Sequence, residues 1–178
     1  MPVLAVDTRD DGVLAAIAPL GLAAAAGNAL VVDLDPDGPH YPGPSSLADL
    51  VVDGPRAADL RPARPGVAVL RNGGVSFEEA AEVVAALVHN WPATVLRIRH
   101  PVPFPTVPVV PLLPGALAPR HSRPAVWQPA GGGSTAPGPG PVLPRLSPGV
   151  VRGLLDGVVE PRRRWVRAWA RVWELPWE

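Results

Sequence analysis

The chain has 178 residues, no cysteine and a formal net charge of zero, and all 16 of its basic residues are arginine. The lack of cysteine excludes a disulfide framework and a thiolate metal site, and the lack of lysine excludes Schiff-base chemistry and a phosphate-loop lysine. The balanced charge argues against a general polyanion binder, and the length suits one α/β domain with an appendage.

The most informative stretch is an apolar run that leads into alternating aspartates. Residues 29–34 predict a strand buried on both faces, because a short run rich in valine is typical of parallel sheets. Asp33, Asp35 and Asp37 stand at and just beyond its end. The carboxyl ends of parallel strands are where open α/β folds bind ligands, so these aspartates are the first candidates for a site.

The rest of the chain up to residue 128 predicts alternating strands and helices. Further strands are expected at 2–7, 67–70, 94–98, 107–113 and 125–128, and helices at 13–26, 45–52 and 77–89. Pro19 is expected to kink or split the first helix, and two prolines should make 107–113 an edge strand or an irregular segment. The predicted class is α/β, with a mostly parallel sheet of about five to six strands flanked by helices.

Proline and glycine divide the chain into three parts. The α/β domain is predicted to span 1–128, and the Pro/Gly-rich stretch 129–146 is interpreted as a linker of mixed stiffness. Residues 147–178 predict a C-terminal helical segment, in which Ser147 caps a helix that starts at Pro148. Apolar residues at helical spacing, including Val158 and Val159, extend that helix toward Pro161.

Residues 27–38 read Gly-Asn-Ala-Leu-Val-Val-Asp-Leu-Asp-Pro-Asp-Gly, and residues 46–51 read Ser-Leu-Ala-Asp-Leu-Val. This pattern resembles the MinD/ParA family of deviant-Walker ATPases, in which a Gly turn precedes a strand ending Asp-x-Asp-Pro and then a Ser-Leu-x-Asp-Leu helix. The order of elements is similar over about residues 2–128, with recognisable residues at 21–51. The resemblance implies a P-loop-NTPase-like fold. Within the family it favours the CpaE/TadZ branch, which positions pilus machinery and tolerates degenerate ATP sites.

The nucleotide site of that family is not retained. Its phosphate loop should fall at 8–13, where this chain has Thr-Arg-Asp-Asp-Gly-Val, with no glycine-rich cradle and with Asp10 and Asp11 placed to repel phosphate. Its fourth-strand acidic position, which helps hold Mg²⁺, corresponds to the end of 94–98, where the chain reads Arg-Ile-Arg-His over 97–100. Asp33 and Asp35 are therefore vestigial cofactor-binding candidates, and we expect no catalytic residue, cofactor or metal ion.

Other interpretations of the aspartates are open. A calcium loop fails because its twelfth position is Pro44, and haloacid-dehalogenase chemistry lacks a later acidic pair. Aspartates at a strand end also cap ordinary turns. The main enzymatic alternative is a small Mg²⁺-dependent enzyme that uses Asp7, Asp33 and Asp35 on adjacent strand ends. The four histidines are not at metal-site spacing.

The C-terminal stretch 162–174 predicts an amphipathic helix with aromatic and basic stripes on opposite faces. The aromatic stripe comprises Trp165, Trp169 and Trp173, and the basic stripe comprises Arg163, Arg164, Arg167 and Arg171. An apolar stripe usually packs on its own domain. The alternative is contact with a partner or an anionic membrane surface, as in the amphipathic C-terminal helix of the MinD branch. Nucleic-acid binding is disfavoured, because the rest of the chain supplies no basic groove.

These observations predict a non-catalytic scaffold or positioning protein that acts through protein contacts in pilus assembly or in cell-pole or division organisation. Its expected partners are proteins of such machinery, with a membrane surface as the alternative, and a homodimer is left open. The expected location is the cytoplasm or the inner face of the membrane. Residues 13–32 are uncharged and long enough to span a bilayer, but Asp10 and Asp11 precede them in place of basic residues, and Pro19 and Gly27-Asn28 interrupt them.

Overall fold

The computed structural model describes residues 2–8, 11–38, 40–63, 65–114, 122–131, 135–157 and 163–178. The strands are β1 (Val3–Asp7), β2 (Asn28–Asp33), β3 (Gly66–Leu70), β4 (Thr94–Ile98), β5 (Thr106–Leu112) and β6 (Val126–Pro129). The helices are α1 (Gly12–Ala26), α2 (Leu47–Asp53), α3 (Phe77–Asn90), α4 (Pro148–Leu155) and α5 (Arg164–Ala168), and a terminal 3-10 helix spans Trp169–Glu174.

The six strands form one parallel sheet in the order β3-β2-β4-β1-β5-β6. Helices cover both of its faces, so the predicted α/β class with a parallel sheet flanked by helices is confirmed. Along β2, Ala29 and Val31 pack toward α1, whereas Leu30 and Val32 pack toward α2 and α3. This alternation explains why residues 29–32 of the strand are all apolar: both of its faces are buried.

Helix α1 lies at the centre of one layer and is apolar on every side. It packs on the sheet and also contacts α4, α5 and the terminal 3-10 helix. Pro19 was expected to kink or split it, but the helix runs unbroken from Gly12 to Ala26. The hydroxyl of Tyr41 donates to the carbonyl of Ala16, one turn before the proline, at 2.7 Å. The predicted helix end at residue 26 is matched, and Gly27 follows it with a positive φ of 80° that glycine adopts without strain.

Strand β5 corrects a second expectation, because it lies inside the sheet and not at its edge. Residues 106–108 pair with β1, and residues 109–112 pair with β6. Each half of β5 thus forms its ladder hydrogen bonds mainly with one neighbouring strand. Each proline can therefore turn the side that lacks an N–H away from that neighbour, where the missing donor costs little. Pro108 and Pro111 are therefore tolerated in an internal strand.

The described part of the Pro/Gly-rich segment lies against β6. The backbone N–H of Trp127 donates to the carbonyl of Pro141 at 2.9 Å, and the N–H of Leu143 donates back to Trp127 at 2.8 Å. Leu143 is 2% exposed. Because proline carbonyls accept hydrogen bonds while proline offers no donor, this segment covers the outer edge of β6 without extending the sheet further.

Helix α4 begins as predicted, with the Ser147 side chain accepting from the N–H of Val150 and proline in the first turn. The predicted continuation through Val158 and Val159 lies outside the described residues. Among the helices that the structure describes, none is both long and apolar enough to cross a membrane.

Candidate functional site

A buried ion cluster lies at the carboxyl ends of β2 and β4. The guanidinium of Arg97 donates from Nη1 to Oδ2 of Asp33 at 3.1 Å and from Nη2 to Oδ2 of Asp35 at 3.0 Å. The side chains of Arg97, Asp33 and Asp35 are 1%, 0% and 6% exposed. One cation thus bridges the two aspartates that the sequence marked as site candidates.

The register of the sheet brings these charges together. Asp33 of β2 is the partner of Arg97 in β4, and the N–H of Leu34 donates to the Arg97 carbonyl at 2.9 Å. Because Val31 and Val95 point toward α1, the residues two positions further along their strands point to the same face. A guanidinium in a strand that is buried along its whole length needs an opposite charge. Asp33 supplies one from the neighbouring strand, and Asp35 supplies another from the turn after that strand.

The turn after β2 holds the second carboxylate in place. Oδ1 of Asp33 accepts the N–H of Asp35 at 3.1 Å, and Oδ1 of Asp35 accepts the N–H of Asp37 at 3.1 Å. These Asx turns are the turn chemistry that aspartates provide at strand ends. The turn then passes so close to the cluster that a Cβ on Gly38 would overlap the Arg97 guanidinium, so a side chain at this position is excluded.

Tyr41 covers the cluster from the side of α1. The Cζ atom of Arg97 lies 5.3 Å from the centroid of the Tyr41 ring, a cation–π contact. Tyr41 is 5% exposed, and burial raises the pKa of its hydroxyl. Burial also raises the pKa of Asp33 to about 6, against the opposing effect of the neighbouring Arg97. Desolvation therefore outweighs ion pairing at Asp33.

Asp7 does not join this cluster, which corrects the expectation that Asp7, Asp33 and Asp35 lie on adjacent strand ends. Strand β4 lies between β1 and β2, so the ends of those two strands are about 10 Å apart. Asp7 is in register with Ile98, whose side chain belongs to the α2/α3 side of the core. The alternation of β1 directs Asp7 to that side, away from Asp33.

The start of α1 is where the resemblance places a phosphate loop. Here Oδ1 of Asp11 accepts the backbone N–H groups of Val13 at 2.8 Å and Leu14 at 3.0 Å. These are the free amide groups that a helix N-terminus offers to an anion. Asp11 is therefore the N-cap of α1, and Asp10 lies outside the described residues.

No cluster of three or more histidine or acidic side chains with metal-site geometry occurs within the described residues. His40, His89 and His100 are all exposed, and His121 lies outside the described ranges.

The C-terminal tryptophans pack on the protein's own domain. Trp165 and Trp169 are 2% and 0% exposed, with ring centroids 5.4 Å apart in an edge arrangement. The indole N–H of Trp165 donates to Gln128 at 2.7 Å, and that of Trp173 donates to the carbonyl of Leu22 in α1 at 3.0 Å. Of the two arrangements left open for the aromatic stripe, the structure has the docked one.

The predicted helix changes form within the stripe. It is α-helical only to Ala168 and then tightens to a 3-10 helix. With three residues per turn, Val172 is buried together with Trp169, and Trp173 is half-buried. The basic residues Arg163, Arg164, Arg167 and Arg171 are exposed. Whether they contact a partner or a membrane stays a prediction.

Sequence reasoning treated Arg97 only as a departure from an acidic family position and missed its role as the bridge between the aspartates. The signal was present, because an arginine in the run Thr-Val-Leu-Arg-Ile must be neutralised if that strand is buried. Nothing in the sequence pointed to Tyr41 as the cover, since it reaches the cluster through a proline-rich loop.

Comparison with models of protein families and with curated proteins finds no match for this chain.

Proposed function

We propose that this chain is a non-catalytic scaffold or positioning protein of the MinD/ParA-like type that acts through protein contacts. Within that family the resemblance favours the pilus-assembly (CpaE/TadZ) branch. The observation that carries the proposal is the bridged cluster of Asp33, Arg97 and Asp35. By the resemblance, a Mg²⁺-holding acidic position would fall at the end of β4. Here a guanidinium lies in that region and pairs with the carboxylates at the end of β2 and in the turn after it.

The start of α1 supports the same conclusion. A phosphate at this position would need the N–H groups that Asp11 already accepts, and it would meet the charge of that carboxylate. The chain contains no lysine to offset that charge. The two parts of a nucleotide site, phosphate cradle and metal ligands, are each replaced by an internal interaction.

The enzymatic alternative has less support. Asp33 and Asp35 are already bonded to Arg97, and Asp7 points to the other side of the sheet. A site for Mg²⁺ built from these carboxylates would need Arg97 to leave the cluster, at the cost of a buried, unpaired guanidinium.

Nucleotide assays test the proposal directly. We expect wild-type protein to show no Mg²⁺-dependent ATP binding by calorimetry and no hydrolysis above buffer background. Asp35→Ala and the matched control Asp37→Ala, whose side chain is exposed, should behave like the wild type. Hydrolysis by the wild type and Asp37→Ala that is lost in Asp35→Ala would overturn the proposal.

The positioning part of the proposal has its own test. A fluorescent fusion expressed in the source organism is expected to form discrete polar or septal foci. Uniform fluorescence through the cell, with the fusion intact and folded, would contradict a positioning role.

A further inference from the structure

The two helical layers of the protein carry opposite charges. The layer of α2 and α3 has a run of exposed acidic side chains and, within those two helices, no arginine. The acidic residues are Asp49, Asp53, Glu78, Glu79 and Glu82. Arg56, in the loop after α2, pairs with Asp53 at 3.5 Å, and the charge of Arg71 acts on Asp49. The unneutralised part of this acidic face is therefore centred on α3. Bonds from Ser46 and Ser76 hold the pKa values of Asp49 and Glu79 below their usual range.

The opposite layer is basic. Helices α4 and α5 and the terminal 3-10 helix present four exposed arginines and one acidic residue, Glu174. The arginines are Arg152, Arg164, Arg167 and Arg171. Arg164, Arg167 and Arg171 form no salt bridge with other described residues. Helix α1, which contacts α4, α5 and the terminal 3-10 helix, has no charged residue.

The two faces do not neutralise each other within one molecule. They lie on opposite sides of the sheet, and each helical layer packs about 10 Å from it. Their separation is therefore about twice the Debye length at physiological ionic strength, which is about 8 Å. Each face presents its own charge to the surroundings, although the whole chain has a formal net charge of zero.

We propose that copies of this chain associate head to tail, with the acidic α2/α3 face of one copy against the basic α4/α5 face of the next. Charge complementarity identifies the occupant, since the same molecule carries both halves of the contact. Such an interface is heterologous, so it propagates into an open stack or closes into a ring. The inference does not depend on the MinD/ParA-like resemblance.

A second copy fits the basic face better than a membrane or a nucleic acid. The tryptophans that would insert into a bilayer are used inside the protein: Trp165 and Trp169 are buried, and Trp173 donates to Leu22. A nucleic acid would find only the exposed arginines of this one face, since the rest of the described chain supplies no basic groove.

Sedimentation velocity on the full chain measures the association. Contacts made by exposed charges are weak, so we expect self-association with a Kd of about 0.01–1 mM at about 50 mM salt, which weakens at least about tenfold at about 500 mM salt. A chain that stays monomeric up to about 1 mM at low salt would overturn the proposal.

Charge reversal identifies the faces. Arg167→Glu/Arg171→Glu turns the basic face weakly acidic. Glu78→Arg/Glu82→Arg cancels the negative charge of the acidic face, because the three remaining carboxylates are then matched by Arg56 and the two introduced arginines. Each variant alone is expected to be monomeric, and their equimolar mixture is expected to associate, because each supplies the face that the other lacks. The control Arg99→Glu/Arg123→Glu changes the net charge as much as the first variant does. Both of its residues are exposed and lie outside the two helical layers, so it should associate like the wild type.

The mixing experiment separates the alternatives. Circular dichroism and thermal melts first establish that each variant is folded. If the separate variants still associate, or their mixture stays monomeric, the head-to-tail contact is wrong. If the wild type is monomeric but binds vesicles of anionic lipid or a DNA duplex, and Arg167→Glu/Arg171→Glu abolishes that binding, the basic face serves a different partner and the proposal fails.

Discussion

Replacing Arg97 with methionine removes the cation of the buried cluster and keeps an unbranched apolar stem in its place. Asp33 and Asp35 would then be left as two buried carboxylates beside each other. At a charge separation of about 4 Å and an effective dielectric constant of about 20, each ion pair with Arg97 is worth about 4 kcal/mol. Desolvation of the three buried ions costs several kcal/mol for each, so the intact cluster contributes little net stability over an apolar replacement.

Removing one charge of the cluster destabilises the protein more than replacing all three charged groups. The desolvation of the carboxylates remains while their attraction to Arg97 is lost, so we expect Arg97→Met to lower the free energy of unfolding by about 3–5 kcal/mol at pH 7. The difference in unfolding free energy between the wild type and Arg97→Met should be smaller at pH 5, because protonation of the two aspartates removes their uncompensated charges. The triple variant Arg97→Met/Asp33→Asn/Asp35→Asn should recover about half of the loss or more.

Urea denaturation at fixed ionic strength measures these differences, with unchanged m-values as the check that the unfolding transition is the same. Arg99→Met is the matched control, since Arg99 is exposed two residues further along, and it should stay within about 0.5 kcal/mol of the wild type. The electrostatic reasoning is refuted if Arg97→Met lies within about 1 kcal/mol of the wild type, or if the triple variant is no more stable than the single one.

Three further outcomes are expected. Asp33 has its folded pKa raised to about 6, so its contribution to stability is present at low pH and is lost as pH rises from about 4 to about 6. The free energy of unfolding of the wild type minus that of Asp33→Asn should therefore increase as pH is lowered through this window, and a decrease would contradict the pKa shift. Gly21→Ala should lower the free energy of unfolding by about 1–3 kcal/mol despite the better helix propensity of alanine, because its Cβ would overlap the ring of Trp165. A double-mutant cycle with Trp165→Leu should show that this loss of stability depends on the ring, and additive effects of the two substitutions would contradict the explanation. Ser46→Ala should cost about 1 kcal/mol in thermal or urea melts, since the Ser46 hydroxyl and Asp49 form a complete capping box, and no change would mean that the cap adds nothing to α2.

The local predictions succeeded where the physical cause is local. The serine cap before α4 and the apolar runs of β1, β2 and β4 depend on residues that are close to each other in sequence. The predicted strand at 94–98 coincides with β4, and the helix predicted at 77–89 ends one residue early. The order of the strands in the sheet could not be predicted from such local signals.

The errors have a common physical origin. Pro108 and Pro111 suggested an edge, but the number of neighbours of β5 depends on where β1 and β6 lie. Asp7 and Asp33 both end strands, yet β4 inserts between those strands and pleating turns the two side chains to opposite faces. These facts depend on the order in which distant segments pair.

By itself, the sequence determined the class of the fold, most element boundaries, and the placing of acidic residues at a strand end. It also determined which chemistry is unavailable, since a chain without lysine or cysteine has no phosphate-loop lysine and no thiolate ligand. Only the tertiary structure decided what the aspartates do. Asp33 and Arg97 are 64 residues apart, and the parallel register of β2 with β4 sets them side by side out of contact with water. In that position a charge must be paired, and the pairing with Arg97 turns a candidate cofactor site into a closed internal cluster.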